Sequence, residues 1–581
     1  MTQVATLPRR LMLGISAAQG GALLALYSAV ENDLWPAESP LWLFPLWTAA
    51  IAVPLVLLLA IDRENLVRAL KLSAGLAGVL LSIAFYVGWQ GEPYDQFRLE
   101  SLTIAFILSV AVAVFKALMY LQQRASGLPM SYALLFTYSW RNFLTGSLAL
   151  LFVGGVALIL ALWGALFAVI NIDFFSDLFR EAWFLFPVLS VAFGLGVLIF
   201  RNLVGVIDNI TRLLEGLIRL LLPLVVVVLL IFLAALPFSG LSPLWATGQG
   251  TSLLLSLTAF VLFSVNAVYQ TGHDAAPYPT IVDRLIYVGV FILPIVCSLS
   301  FYGLALRIQQ YGWTVERCWG MVVWATLACF SVGYAWGVFR RGVDWPQTLA
   351  RVNTNMGLAL LALMILVNTP LLDFRKISLS SQVGRVESAE ITWMEFDFHY
   401  ARTHLARPGY LMMQTLLEEV GQGDAELAER IKNPLRTAPA LHLGVPERLW
   451  EDLVYRPERF ELPPGLRTVI EGDLIFPGRA ALGRYSAPPT AAPNAPRARQ
   501  EHLLMRVDLD EDGDYEYAFV TLYDGRFTSA RYFYRKNDVW AARNLVLEPY
   551  DATTDLGEIF RAAKIGTAEP RFRDLKIGEL L

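Results

Sequence analysis

The run "VDLDEDGDYEY" at residues 507–517 places acidic groups on alternate positions: Asp508, Asp510 and Asp512, then Gly513, with Asp514 beside it and Glu516 closing. Hard cations such as calcium take six to eight oxygens, so carboxylates spaced along a glycine-bent turn suit them. The spacing D-x-D-x-D-G-x-x-E fits, but Phe519 stands at the twelfth position and the flanks read as strands. The run therefore resembles the short calcium loops between β-strands more than a helix–loop–helix hand, and calcium there would be structural. A solvated hairpin turn uses the same Asp and Gly residues, so both readings stay open.

Four of the five histidines, His399, His404, His442 and His502, fall in the last third of the chain. His399 and His404 are five apart on a predicted helix, about 140° around it, and do not share a face as a zinc pair four apart would. With Glu395 and Asp397 they read as helix surface rather than a metal or acid–base site. Cys297, Cys318 and Cys329 lie in or beside apolar runs and form no Cys-x-x-Cys spacing. No nucleotide loop, Ser/His/Asp arrangement or HExxH motif occurs. No catalytic residue is assigned, and the reading leans away from an enzyme.

Polar groups at membrane depth are costly and usually purposeful. Asn266, within "FVLFSVNAVYQTGHDAAPYP", reads as an interhelical hydrogen-bonding residue or part of a polar path. His273 and Asp274 follow it, then Pro277 and Pro279, in a rigid cytoplasmic loop. Lys116 and Arg307 read as span-end cations that snorkel. In "YGWTVERCWG", Thr314 is placed to cap a helix starting at Val315, with Glu316 in its first turn and Arg317 next. The tail is expected to dock on that hairpin.

These groups must be held by a largely apolar chain. Of 581 residues, 56% are hydrophobic, with 16 Trp and 34 Phe. A helix needs about 20 mostly apolar residues to cross a bilayer, and eleven stretches qualify. They centre on 11–30, 41–60, 72–90, 102–121, 143–171, 183–200, 217–238, 251–270, 285–306, 319–339 and 355–372. The first is read as an uncleaved helix rather than a signal peptide. "NLVGVIDNITRLLEGLIRLL" reads either as a surface helix or as an extension of the next span. Gly20–Gly21 and Gly154–Gly155 read as small-residue packing sites.

Residues 1–372 carry 19 Lys/Arg and 17 Asp/Glu; residues 373–581 carry 27 and 33, so the tail is acidic. With the N-terminus in the cytoplasm, inside loops hold fifteen Lys/Arg and outside loops four, the bias that resists translocation. Eleven crossings then carry the tail to the periplasmic side of a bacterial inner membrane. No concentrated basic face for nucleic acid exists.

The expected fold is thus an α-helical polytopic membrane bundle of about eleven spans (1–372), followed by a small soluble α+β C-terminal domain. That domain comprises a mainly helical segment (373–480), an Ala/Pro linker (481–500, "YSAPPTAAPNAP") and a three-strand β-meander with the acidic turn (501–581). Tyr515, Tyr517, Tyr532 and Tyr534 read as exposed aromatics.

Three stretches together, "NAVYQTGHDAAPYP", "LALRIQQYGWTVERCWG" and "VNTPLLDFRKISLSSQV" leading to "FDFHYARTHLARPG", resemble the bacterial membrane-protein family called domain of unknown function 4153. The resemblance implies a polytopic inner-membrane protein with an outward C-terminal domain, and brings no activity or site residue. Transport and envelope function are therefore both expected classes, with a membrane-anchored periplasmic binding module or assembly scaffold as alternative, and a lipid-linked enzyme behind these. The expected partners are the lipid bilayer and an envelope component or small solute, with no nucleic acid; calcium is the one cofactor considered.

Overall fold

The computed structural model describes residues 7–32, 34–93, 100–240, 244–245, 249–269, 277–341, 345–420, 424–436, 453–456, 460, 462–463, 466–467, 470, 500–507, 515–523, 526–536 and 539–544. His273, Asp274, Asp508, Asp510, Asp512, Asp514, His442 and residues 481–499 of the expected linker lie outside them. The chain divides into two compact units, Met1–Ala438 and Pro439–Leu581.

The first unit is helical. In chain order it holds α1 (Arg9–Glu31), α2 (Pro40–Ala60), α3 (Leu66–Gln90), α4 (Glu100–Ser126), α5 (Tyr132–Val169), the single-turn α6 (Phe174–Leu178), α7 (Ala182–Asn202), α8 (Val204–Ser239), α9 (Gly250–Val268), α10 (Thr280–Tyr311), α11 (Val315–Arg341) and α12 (Pro346–Leu366). All but α6 are long and apolar enough to cross a bilayer, which gives the eleven spans expected. In lipid every backbone polar group needs an internal partner, and helices supply one within the segment. α8 is one continuous helix through the amphipathic run after Leu203, so that run extends the span rather than lying apart.

With lipid tails as apolar as leucine, close approach and shape hold such helices together. A methyl at Gly88 would collide with the Pro40 carbonyl, fixing α2 against α3. One at Gly20 would lie 2.7 Å from Pro187 Cα, fixing α1 against α7. Gly154 and Gly155, by contrast, have open space around them and do not mediate packing as their type suggested. Two apolar cores result. One gathers Met12, Leu58, Leu80, Leu118 and Val197 from the first seven helices; the other gathers Leu222, Val261, Val290, Tyr334 and Trp345 from α8–α12.

Four further helices belong to this unit: α13 (Phe374–Glu387), α14 (Phe398–His404), α15 (Ala406–Val420) and α16 (Ala425–Arg436). They share a core of Phe396, Phe398, Leu405, Met413 and Ile431 and form a cap. A seam of Cys318, Val367 and Phe374, with Trp313 and Trp319, joins α13 to the ends of α11 and α12.

The second unit is a sheet ordered β1–β2–β3–β4–β5. β1 (Val454–Arg456) lies parallel to β2 (Gln500–Val507); β3 (Glu516–Tyr523), β4 (Arg526–Lys536) and β5 (Val539–Asn544) continue antiparallel. The expected meander is β2–β3–β4, and it gains one strand on each edge. Leu453, Leu466 and Ile470 join Leu504, Tyr517, Phe519 and Phe533 in its core. Tyr517, expected exposed, is buried: strand alternation puts it with Phe519 on the core side. Tyr515 is exposed, while Tyr532 and Tyr534 are half-buried and stacked at 5.3 Å.

Candidate functional site

A concave feature of the first unit lies where α4 and α11 begin and the cap begins. Ser101, Leu102, Ala105 and Phe106 of α4, Val315, Glu316 and Trp319 of α11, Val367 and Asn368 beyond α12, Phe374 and Arg375 of α13 and His404 of α14 line a cleft of about 50 Å³. Its floor is apolar, and its polar groups differ in kind. The Glu316 carboxylate stands 3.8 Å from His404 Nε2, Arg375 is paired with Asp373 at 2.9 Å, and Asn368 donates to Ser109 Oγ at 2.8 Å. Such a cleft offers an anionic and a cationic group above an apolar slot, at the level where spans end.

The surrounding geometry fixes these groups. Asp373 is 2% exposed. It caps α13 through Arg375 N (3.1 Å) and accepts from Tyr86 Oη (2.6 Å) and Gln90 Nε2 (3.0 Å) at the end of α3. α13 then docks on the 310–315 hairpin. Ser378 Oγ donates to the Trp313 carbonyl at 3.1 Å, and Gln382 Nε2 donates to the carbonyls of Tyr311 and Trp313. Tyr400 Oη accepts from Val315 N at 2.9 Å, and burial holds its phenol above the ordinary value. Gly312, at φ +71°, lets the hairpin turn.

Glu316 sits in the first turn of α11 behind Thr314, whose hydroxyl accepts from Arg317 N at 3.4 Å. Arg317 is turned to its own hairpin. It donates to the Gly312 carbonyl at 2.6 Å and lies over the Tyr311 ring at 5.5 Å, so it braces the turn while its neighbour lines the cleft. Glu395 and Asp397, weighed with the histidines in the sequence, are spent on local caps. Glu395 accepts from Thr392 N and Oγ1, which holds it below the usual carboxylate value, and Asp397 accepts from Tyr400 N. His404 stacks on Tyr400 at 4.9 Å.

Asn266 is far from the cap, near the end of α9. Its Oδ1 accepts from Tyr132 Oη at the start of α5 and from Asn353 Nδ2 of α12 at 2.6 Å. Asn353 Oδ1 in turn accepts from Tyr334 of α11 at 2.6 Å. Asn353 thus ties four spans, through Tyr132, Asn266 and Tyr334, on the face opposite the 310–315 hairpin. Lys116 lies ten residues inside the end of α4, about 15 Å along the helix; it is deeper than a span-end residue.

Of the acidic residues in the 507–517 run, only Glu516 is described. Glu516 opens β3, is 8% exposed and pairs in register with Val507. Among the described residues, no group of three or more His, Cys, Asp or Glu is placed to hold a metal.

Eleven apolar spans with a docked helical cap define a multi-pass membrane protein. Residues 20–416 match the family model described as "Domain of unknown function (DUF4153)", and the chain belongs to that family. No curated protein and no solved structure matches it.

Proposed function

We propose that this protein is an inner-membrane platform that presents a rigid cap, a rim cleft and a β-sheet unit to the periplasm, and that its role is envelope-associated binding or assembly. One observation carries this. The cap is not a tethered accessory but is hydrogen-bonded into the ends of α3, α10 and α11 through Asp373, Ser378, Gln382 and Tyr400. A bundle that builds its surface this way is suited to hold a binding face still. Orientation rests on the basic residues. Arg141, Arg201, Arg212 and Arg219 lie at the face away from the cap, where the positive-inside bias puts the cytoplasm.

Transport is the second reading, favoured by the convergence of Tyr132, Asn266, Tyr334 and Asn353 inside the bundle. Cysteine labelling separates the two. Under the platform reading an Asn266→Cys thiol stays unreactive to small hydrophilic reagents from either side, while His404→Cys reacts from outside. A thiol at 266 that reacts from one face, and is protected by a solute, would establish transport instead. We also propose that Asp508, Asp510, Asp512, Asp514 and Glu516 form a structural calcium loop between β2 and β3. Its test is calcium-dependent melting of the full chain, lost in Asp510→Asn/Asp512→Asn; equal melting with calcium or chelator removes it.

A further inference from the structure

Arg402 of α14 is 1% exposed, yet its Nε, Nη1 and Nη2 have no hydrogen-bond acceptor among the described residues. A buried polar group normally has a partner, and a guanidinium is the hardest case. A lysine or glutamate can shed its charge when buried, whereas arginine stays protonated at any physiological pH. Burial draws Arg402 below the ordinary guanidinium value, and among the described residues the Tyr410 phenol opposes that shift.

Five of the cap's carboxylates are committed elsewhere. Asp373 serves Tyr86, Gln90 and Arg375, and Glu390 pairs with Arg385. Glu395 and Asp397 cap Thr392 and Tyr400, and Asp424 caps Leu427. Among the described residues, a full positive charge is enclosed with no carboxylate bonded to it.

Its place in the fold says which anion. The carbonyl of Thr403, the next residue, accepts from Ser101 Oγ at the start of span α4. Arg407, five residues on, donates to the Glu92 carbonyl just past the end of span α3 and lies 4.7 Å over the Trp89 ring. Trp35, Trp42 and Trp89 are exposed at this end of α2 and α3, as an aromatic belt at a bilayer interface would be. α14 and α15 thus sit at the depth of phospholipid phosphates. A guanidinium fork matches a phosphate's oxygens two at a time.

The geometry points to Arg402 as the anchor of a phosphate site at the seam between the cap and the spans. The shared chemistry is a phosphate oxyanion, supplied by a phospholipid headgroup or by free phosphate. Arg402 itself does not line the rim cleft, and the proposal stands whether or not that cleft binds anything.

The test uses the full chain, delipidated in detergent at fixed ionic strength. Its thermal unfolding is followed with inorganic phosphate, with short-chain phosphatidylglycerol, and with the matching diacylglycerol that lacks phosphate. At about a hundredfold excess over Kd, a phosphate-bearing probe should raise the apparent Tm by several degrees and diacylglycerol should not. A shift with phosphatidylglycerol alone identifies the headgroup; an equal shift with inorganic phosphate identifies the free anion. Arg402→Lys should keep a reduced shift, and Arg402→Met, of similar volume, should lose it. The proposal is overturned if neither probe shifts the wild type, if diacylglycerol acts equally, or if Arg402→Met retains the full shift. Should Arg402→Met not fold, the wild-type titrations and Arg402→Lys decide the matter.

Discussion

Asp373 is the residue whose removal should most clearly separate cap from bundle. Its side chain is fully buried, accepts from Tyr86 and Gln90 of α3, and accepts twice from Arg375. Hydrogen bonds to a charged group contribute about 1.5–3 kcal/mol each, and breaking a buried pair by deleting one partner costs about 3–5 kcal/mol. Asp373→Ala should therefore destabilise the first unit by about 3–5 kcal/mol, since Tyr86, Gln90 and Arg375 all lose their acceptor. Asp373→Asn keeps the shape and part of the bonding and should cost roughly half that. The assay is denaturant unfolding in detergent, combined with limited proteolysis of residues 388–397, whose cleavage should quicken in step with the lost stability. A cycle with Tyr86→Phe isolates the contact across the seam. A coupling of at least about 1 kcal/mol is expected for groups in one network. Additive effects within about 0.3 kcal/mol would show that the cap rests on the bundle without being held by it.

Other outcomes follow from the same structure. Gly88→Ala should loosen α2 from α3 at a cost of about 1–3 kcal/mol, because a methyl there meets backbone rather than a movable side chain, whereas Gly154→Ala should change stability by less than about 1 kcal/mol; paired melts check both. Asn353→Leu leaves Tyr132, Asn266 and Tyr334 short of partners and should cost about 0.6–1.7 kcal/mol, read by unfolding in bicelles. In the sheet unit, burial depresses His502 below its ordinary 6.5. A base depressed on folding binds protons more readily when unfolded, so stability holds above pH 6.5 and falls as the pH drops toward the folded value. His502→Gln should flatten that limb of a pH–melting profile.

The spans were legible because lipid demands one simple pattern. "LLLPLVVVVLLIFLAAL" can only be a helix at that depth, and the eleven crossings follow. Their ends were less so: α12 runs 346–366 rather than 355–372, since its first turns carry Gln347, Arg351 and Asn353. Those polar residues look like loop until Asn353 is seen bonded to Asn266. The hairpin at 310–315 was readable from Gly312 and Thr314, both local signals. The rim cleft was not. Glu316, Arg375 and His404 come from three segments, and a linear pattern carries no pairing information. The Asp373–Tyr86 bond, 287 residues apart, is invisible for the same reason. Arg402 sits in an amphipathic run where arginine ordinarily means surface. β1, three residues long, is too short to show a period, and β5 was signalled only by Asn537–Asp538 ahead of "VWAARN".

A periplasmic platform requires the cap and the Arg-rich loops to stand on opposite sides of the bilayer. Glu387 of the cap and Arg212 of α8 are both exposed, so Glu387→Cys and Arg212→Cys, in a chain with Cys297, Cys318 and Cys329 replaced by serine, can each be probed in intact inner-membrane spheroplasts. A membrane-impermeant maleimide should label position 387 at once and position 212 only after permeabilisation. Labelling of 212 in sealed spheroplasts, with 387 protected until lysis, would turn the molecule over and remove the periplasmic platform with it.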